Sequence, residues 1–119
     1  MEILYFDNHI IVVNKPAGIS TESSEGKSLE SEVKLWGKEK YGKSGDMFLR
    51  AAHRLDKAVS GIVVLAKTTK ALQRLHEAFR QRNMQKTYIA MIEGELKESS
   101  NLSKLQPILS SPPLLFFQA

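Results

Sequence analysis

Asp56 is the residue whose type and setting could do chemistry in this chain. It lies in Ala51-Ala52-His53-Arg54-Leu55-Asp56-Lys57-Ala58-Val59-Ser60-Gly61, with Arg54 two positions before it and Lys57 directly after it. Nearby positive charge favours the ionised form of a carboxylate. An ionised, positioned carboxylate can serve as a nucleophile or as a general base. Without further context the same residues make a structural ion pair on a loop, and on physics alone that reading outweighs the chemical one.

The surrounding charge is uneven. Between His53 and Thr87 eight basic residues (Arg54, Lys57, Lys67, Lys70, Arg74, Arg80, Arg82 and Lys86) face two acidic ones, Asp56 and Glu77. That stretch carries +6 of a formal net +4, leaving −2 for the rest. A solvated basic helix face explains this as well as an anionic partner does.

Composition limits the chemistry available. The 119 residues, 42% hydrophobic and 25% charged, suit one globular domain. With no cysteine and three histidines, thiolate metal sites and disulfides are excluded and soft ligands are few. The first residues lack a basic leader followed by a long apolar run, and no stretch approaches the roughly 20 apolar residues that span a bilayer. The expected location is the cytoplasm, away from membranes.

Several elements must position Asp56. Ile3 to Phe6 and His9 to Asn14 read as a hairpin about the turn-prone Asp7-Asn8 pair. Lys15-Pro16-Ala17-Gly18 interrupts the strand pattern, and Ser20 to Lys27 reads as a polar surface loop. Ser28 predicts the cap of a helix to about Tyr41, with Leu29, Val33 and Leu35 or Trp36 inside. Tyr41 to Asp46 is a flexible connection, and Met47 to Ala52 is a strand or leads into one. Gly61 to Lys67 is a continuous apolar run, expected to be central in its sheet and buried on both faces.

Beyond it, Thr68 or Thr69 starts a helix to roughly Arg82, with Leu72, Leu75, His76 and Phe79 at helical spacing. Gln85 to Ile92 alternates as a strand, which Gly94 ends. From Glu98 onward the character changes to paired serines, prolines and a closing Leu114-Leu115-Phe116-Phe117 run. This tail does not read as continuing the same sheet. A flexible extension whose last residues dock on the body and an out-of-frame end are the two explanations.

His53-Arg54-Leu55-Asp56 followed by Ser60-Gly61 resembles the H-R-L-D-x-x-T-S-G signature of RluA-like RNA pseudouridine synthases. Asn14-Lys15-Pro16-Ala17-Gly18 is similar to that family's upstream K-P-x-G motif. Lys86-Thr87-Tyr88-Ile89-Ala90 with Gly94 is similar to its K-x-Y-x-A…G strand. The matches fall in the family's order over roughly residues 2–96. The resemblance implies an α+β fold, with a mixed, largely antiparallel sheet and flanking helices. Residues 1–97 would then be part of a catalytic domain and residues 98–119 an atypical tail.

The resemblance further implies isomerisation of uridine to pseudouridine in structured RNA, ribosomal or transfer, without cofactor or metal, by a monomeric enzyme. Asp56 would be the catalytic aspartate, attacking C1′ or abstracting the C2′ proton. Glycosidases show comparable carboxylate chemistry at an anomeric carbon. Arg54 would help displace the target base and Tyr88 would stack on the uracil. Without the motif, Tyr88 reads as a half-buried strand tyrosine and His53 as a loop-shaping residue. His53, Lys67, Lys70, Arg74 and Lys86 are the candidate RNA contacts.

The sequence departs from the family pattern twice. Val59 stands where a threonine is usual, and the tail holds no G-R-x-H-Q-I-R-like segment to supply a basic partner for the aspartate. Gly18 and Gly61 are read as backbone choices. The alternative expectation is a catalytically silent fragment with at most non-specific RNA binding.

Overall fold

The computed structural model describes residues 1–91 and 114–118. Asp7 makes the first turn: its Oδ1 accepts the backbone N–H groups of His9 (2.7 Å) and Ile10 (2.8 Å). This joins β1 (Glu2–Phe6) to β2 (Ile10–Lys15) as the expected antiparallel hairpin. The N–H of Ile10 first, then that of His9, holds the Asp7 carboxyl below its ordinary value.

Ser28 then caps α1 (Leu29–Tyr41) in a reciprocal box: its hydroxyl accepts the Ser31 N–H, and the Ser31 hydroxyl accepts the Ser28 N–H. Leu29 and Val33 are buried as expected. Of the two alternatives for the next inner position, Leu35 is 62% exposed. Trp36 packs on the core, edge-on to Phe6 at 5.5 Å between ring centroids.

The chain re-enters the sheet through β3 (Arg50–Ala51), shorter than the apolar Met47 to Ala52 run suggests, and then β4 (Gly61–Ala66). Strand order is β1-β2-β4-β3, and each neighbouring pair is antiparallel. β4 is internal, as expected, but it is not buried on both faces. Val63 and Leu65 join Ile11, Val13, Leu29, Val33 and Leu49 in the core, whereas Ile62 is 59% exposed on the opposite side of the strand. Six apolar residues in a row conceal the inside–outside alternation that a pleated strand imposes.

α2 (Thr69–Arg80) begins at Thr68, whose hydroxyl accepts the Ala71 N–H. It stops short of Arg82 because Arg82 takes a left-handed φ of 56°. Its Leu72, Leu75 and Phe79 are half-buried, while His76 is exposed. These elements form the unit Met1–Gln81.

The unit Arg82–Ala119 contains β5 (Thr87–Met91) and β6 (Leu114–Gln118), antiparallel with Tyr88 opposite Phe117. The closing apolar run thus forms a strand paired with the strand that carries Tyr88. Gly94 lies outside the described residues. The α+β class with antiparallel sheet and flanking helices holds. Among the described residues no helix is long and apolar enough to cross a membrane.

Candidate active site

The loop between β3 and β4 alternates in direction. His53 and Leu55 turn inward to half-buried positions, and Arg54 and Asp56 turn out to solvent. The inward residues act as anchors. His53 Nε2 accepts the Val64 N–H at 3.1 Å, and Ala52 N–H donates to the Val64 carbonyl at 2.9 Å, so the loop leaves the sheet already tied to β4. The His53 ring also lies 5.0 Å from that of Phe79 on α2.

Leu55 is gripped by Thr21. The Thr21 hydroxyl donates to the Leu55 carbonyl (2.9 Å) and accepts the Leu55 N–H (3.1 Å). Thr21 is buried for this purpose, although its polar neighbourhood reads as surface loop. Beyond Asp56, the Val59 N–H closes a turn on the Asp56 carbonyl at 2.9 Å. That turn is made by backbone alone, so valine serves there without a hydroxyl.

The exit of the loop is fixed from β2. Lys15 pairs with Gly61 at the end of the β2–β4 ladder, which brings its side chain beneath the loop. Lys15 is fully buried, and its Nζ donates to the carbonyls of Ile19 (2.8 Å), Pro16 (3.1 Å) and, at 3.4 Å, Lys57. The Lys57 carbonyl also accepts the Gly18 N–H at 2.7 Å. Gly18 supplies the φ of +94° that this approach uses. Burial pushes the Lys15 ammonium below its ordinary value, and the Asp56 carboxylate opposes that push.

Glu30 is a second buried charge that sequence reasoning misses. Its Oε1 accepts the Ala51 N–H at 2.7 Å and its Oε2 lies 3.5 Å from Arg50. It therefore fastens α1 to the strand that leads into the loop. Arg54 reaches Glu22 at 3.7 Å, with both side chains largely in water. Such a pair is worth about 0–1 kcal/mol and is readily exchanged for another anion. Beside it opens a groove of about 530 Å³ lined by Phe48, Arg50, His53, Arg54 and His76, among others.

The structure brings Asp56, Arg54 and His53 together on one loop. It does not bring Lys67 to them. Lys67 follows the far end of β4, roughly 20 Å of extended chain from Gly61. There its Nζ donates to the Asp7 carbonyl at 2.6 Å and sits 4.7 Å from the centroid of the Tyr41 ring. Lys70 and Arg74 are exposed on α2. Lys86 and the 39% exposed Tyr88 belong to the Arg82–Ala119 unit. Thr21 and Glu30 have no local sequence signal for their roles, because Leu55 and Ala51 lie 34 and 21 residues away, and the contact of Lys15 with Lys57 spans 42.

This geometry defines an outward carboxylate on a loop tied by hydrogen bonds, with a buried lysine under the loop and an exposed arginine beside it. The chain belongs to the RNA pseudouridylate synthase family, whose match runs over residues 9–111. It is similar to ribosomal large subunit pseudouridine synthase C of Escherichia coli strain K12, at 39% identity over 93 residues, covering 78% of this chain and 28% of the relative. With the protein of that name from Rickettsia bellii it shares 34% over 109 residues, covering 86% and 35% respectively.

Among solved structures it resembles human RNA pseudouridylate synthase domain containing 4, with TM-score 0.64 and 30% identity over 75% of this chain and 33% of that one. Human RNA pseudouridylate synthase domain containing 1 shares the fold at TM-score 0.54 and 21% identity, over 95% and 46%. The chain thus spans about a third of the length of the curated relatives it matches.

Proposed function

We propose that this chain is the part of an RNA pseudouridine synthase that presents the catalytic carboxylate, Asp56, to a uridine in structured RNA. Ribosomal RNA is the favoured substrate class and transfer RNA the second, in the cytoplasm. The reaction breaks the N1–C1′ glycosidic bond, joins C1′ to C5 and returns the C5 proton to solvent while N1 gains one. Asp56 attacks C1′ or removes the C2′ proton. Arg54 exchanges Glu22 for RNA and holds the displaced nucleotide, and Tyr88 stacks on the base. Lys70, Arg74 and Lys86 meet phosphates, while His53 supports the loop from beneath.

The observation that carries this reading is the outward Asp56 on a loop tied at Leu55 and Lys57, in a member of this family. Incubation of the chain with structured RNA labelled with tritium at uridine C5 tests it. Release of tritium to water by the wild type, and none by Asp56→Asn with RNA binding retained, is expected. Equal release from Asp56→Asn would remove Asp56 from the chemistry.

A further inference from the structure

We propose that the groove along the free edge of β3 is a binding site for one unpaired nucleobase of the RNA, beside the uridine that Asp56 meets. The proposal rests on the pseudouridine synthase reading above. The Ala52 N–H bonds to Val64 on β4, so the preceding Ala51 N–H points out of the sheet, where the Glu30 carboxylate accepts it. The edge donor at Ala51 is thereby already used and does not recruit another strand. What opens there instead is a groove of about 530 Å³ walled by side chains. That volume lies within the roughly 300–1,000 Å³ of small-ligand sites.

The lining fits a base better than a phosphate. Phe48 presents a ring that is 41% exposed and lies outside the hydrophobic core cluster, and Leu72 on α2 adds apolar surface. Aromatic faces take unpaired bases of any sequence by stacking. Arg50 and Arg54 line the groove too, but each faces a carboxylate, Glu30 at 3.5 Å and Glu22 at 3.7 Å. Those carboxylates repel an anion lodged in the groove, whereas they accept the N–H groups that base edges carry. Arg54 lies two residues before Asp56, which sets an occupant of the groove beside the nucleotide presented to that carboxylate.

Coupling between ring and base tests this without turnover. The 119-residue Asp56→Asn chain, with and without Phe48→Leu, is titrated by fluorescence anisotropy against a labelled RNA stem-loop carrying uridine in its loop. The same titrations use copies of that RNA in which each other loop nucleotide in turn is abasic. Phe48 is exposed and outside the core, so the leucine variant keeps the fold, which circular dichroism verifies.

Phe48→Leu is expected to weaken binding of the intact stem-loop about fivefold or more, the size of one lost base stack. In the copy that lacks the stacked base the two proteins should bind alike, because ring and base are a coupled pair. Equal affinity of the two proteins for the intact RNA overturns the proposal. So does a loss that persists in every abasic copy, or an intact stem-loop that the parent chain does not bind. Tritium release is measured separately: a chain that shows the coupling and releases none loses the functional reading alone, and one that releases tritium without the coupling loses the base site alone.

Discussion

The Thr21 hydroxyl holds both backbone groups of Leu55, donating to its carbonyl and accepting its N–H. One side chain from the loop after β2 thereby fixes the residue directly before Asp56. Thr21→Val keeps the shape and leaves two buried backbone groups without this partner. The expected cost is about 1–3 kcal/mol, read from the denaturant midpoint. Tritium release should fall through kcat, and a variant as stable as the wild type would show the clamp to be dispensable.

Glu30 separates hydrogen bonding from charge. Glu30→Gln keeps an acceptor for the Ala51 N–H and loses only the ion pair with a largely exposed Arg50, so its cost should stay below about 1 kcal/mol. Glu30→Leu leaves the Ala51 N–H unmet and should cost about 1–3 kcal/mol. Urea unfolding of the two variants side by side measures the difference. Equal losses would place the value of Glu30 in its charge instead.

Asp7 predicts an acid limb in stability. Its folded carboxyl lies below the ordinary 3.8, so its contribution is present above 3.8 and is lost as pH falls through the lowered folded value. Tyr5 donates to the same carboxylate and His9 lies beside it, but the Ile10 and His9 N–H groups dominate the shift. Thermal melts across the acid range should show a shallower pH dependence for Asp7→Asn than for the wild type. Superimposable curves would count against the turn as the source.

The basic residues should divide into two kinds. Lys67→Met loses the Asp7 carbonyl and the Tyr41 ring and should cost roughly 1–2 kcal/mol. Its effect on the salt dependence of RNA binding should be small. Lys70→Ala and Arg74→Ala should leave stability within about 0.5 kcal/mol. Each should lower the slope of log affinity against log salt by about 0.7–0.9. A reversed pattern would move the RNA path to the hairpin end of the sheet.

Short-range signals were legible in the sequence. Asp7-Asn8 makes the hairpin turn and Ser28 and Thr68 cap their helices, all from contacts within a few residues, and the apolar Gly61 to Ala66 run marks an interior strand by its composition. Long-range partners were not. Lys15 reads as the start of a strand interruption and of a motif, and its burial shows only when the ladder sets it against Gly61; Thr21 reads as part of a polar surface loop until Leu55 arrives. Lys67 reads as one more cation in a basic stretch, yet the β2–β4 pairing carries it to Asp7. The motif points to Asp56 and Arg54 as candidates, and His53 reads as a loop-shaping residue, while the grip of Thr21 on Leu55 and of Glu30 on Ala51 emerges only from the fold.

The ties described for the Asp56 loop come from Lys15, Gly18, Thr21 and Val64, which all lie within the Met1–Gln81 unit. During synthesis that stretch leaves the ribosome before anything downstream, and chains fold from the amino end as they emerge. The Asp56 loop can therefore be set while the Tyr88 strand is still being made. Lesions in the first two strands would then strike earlier in the life of the molecule than lesions near its carboxyl end.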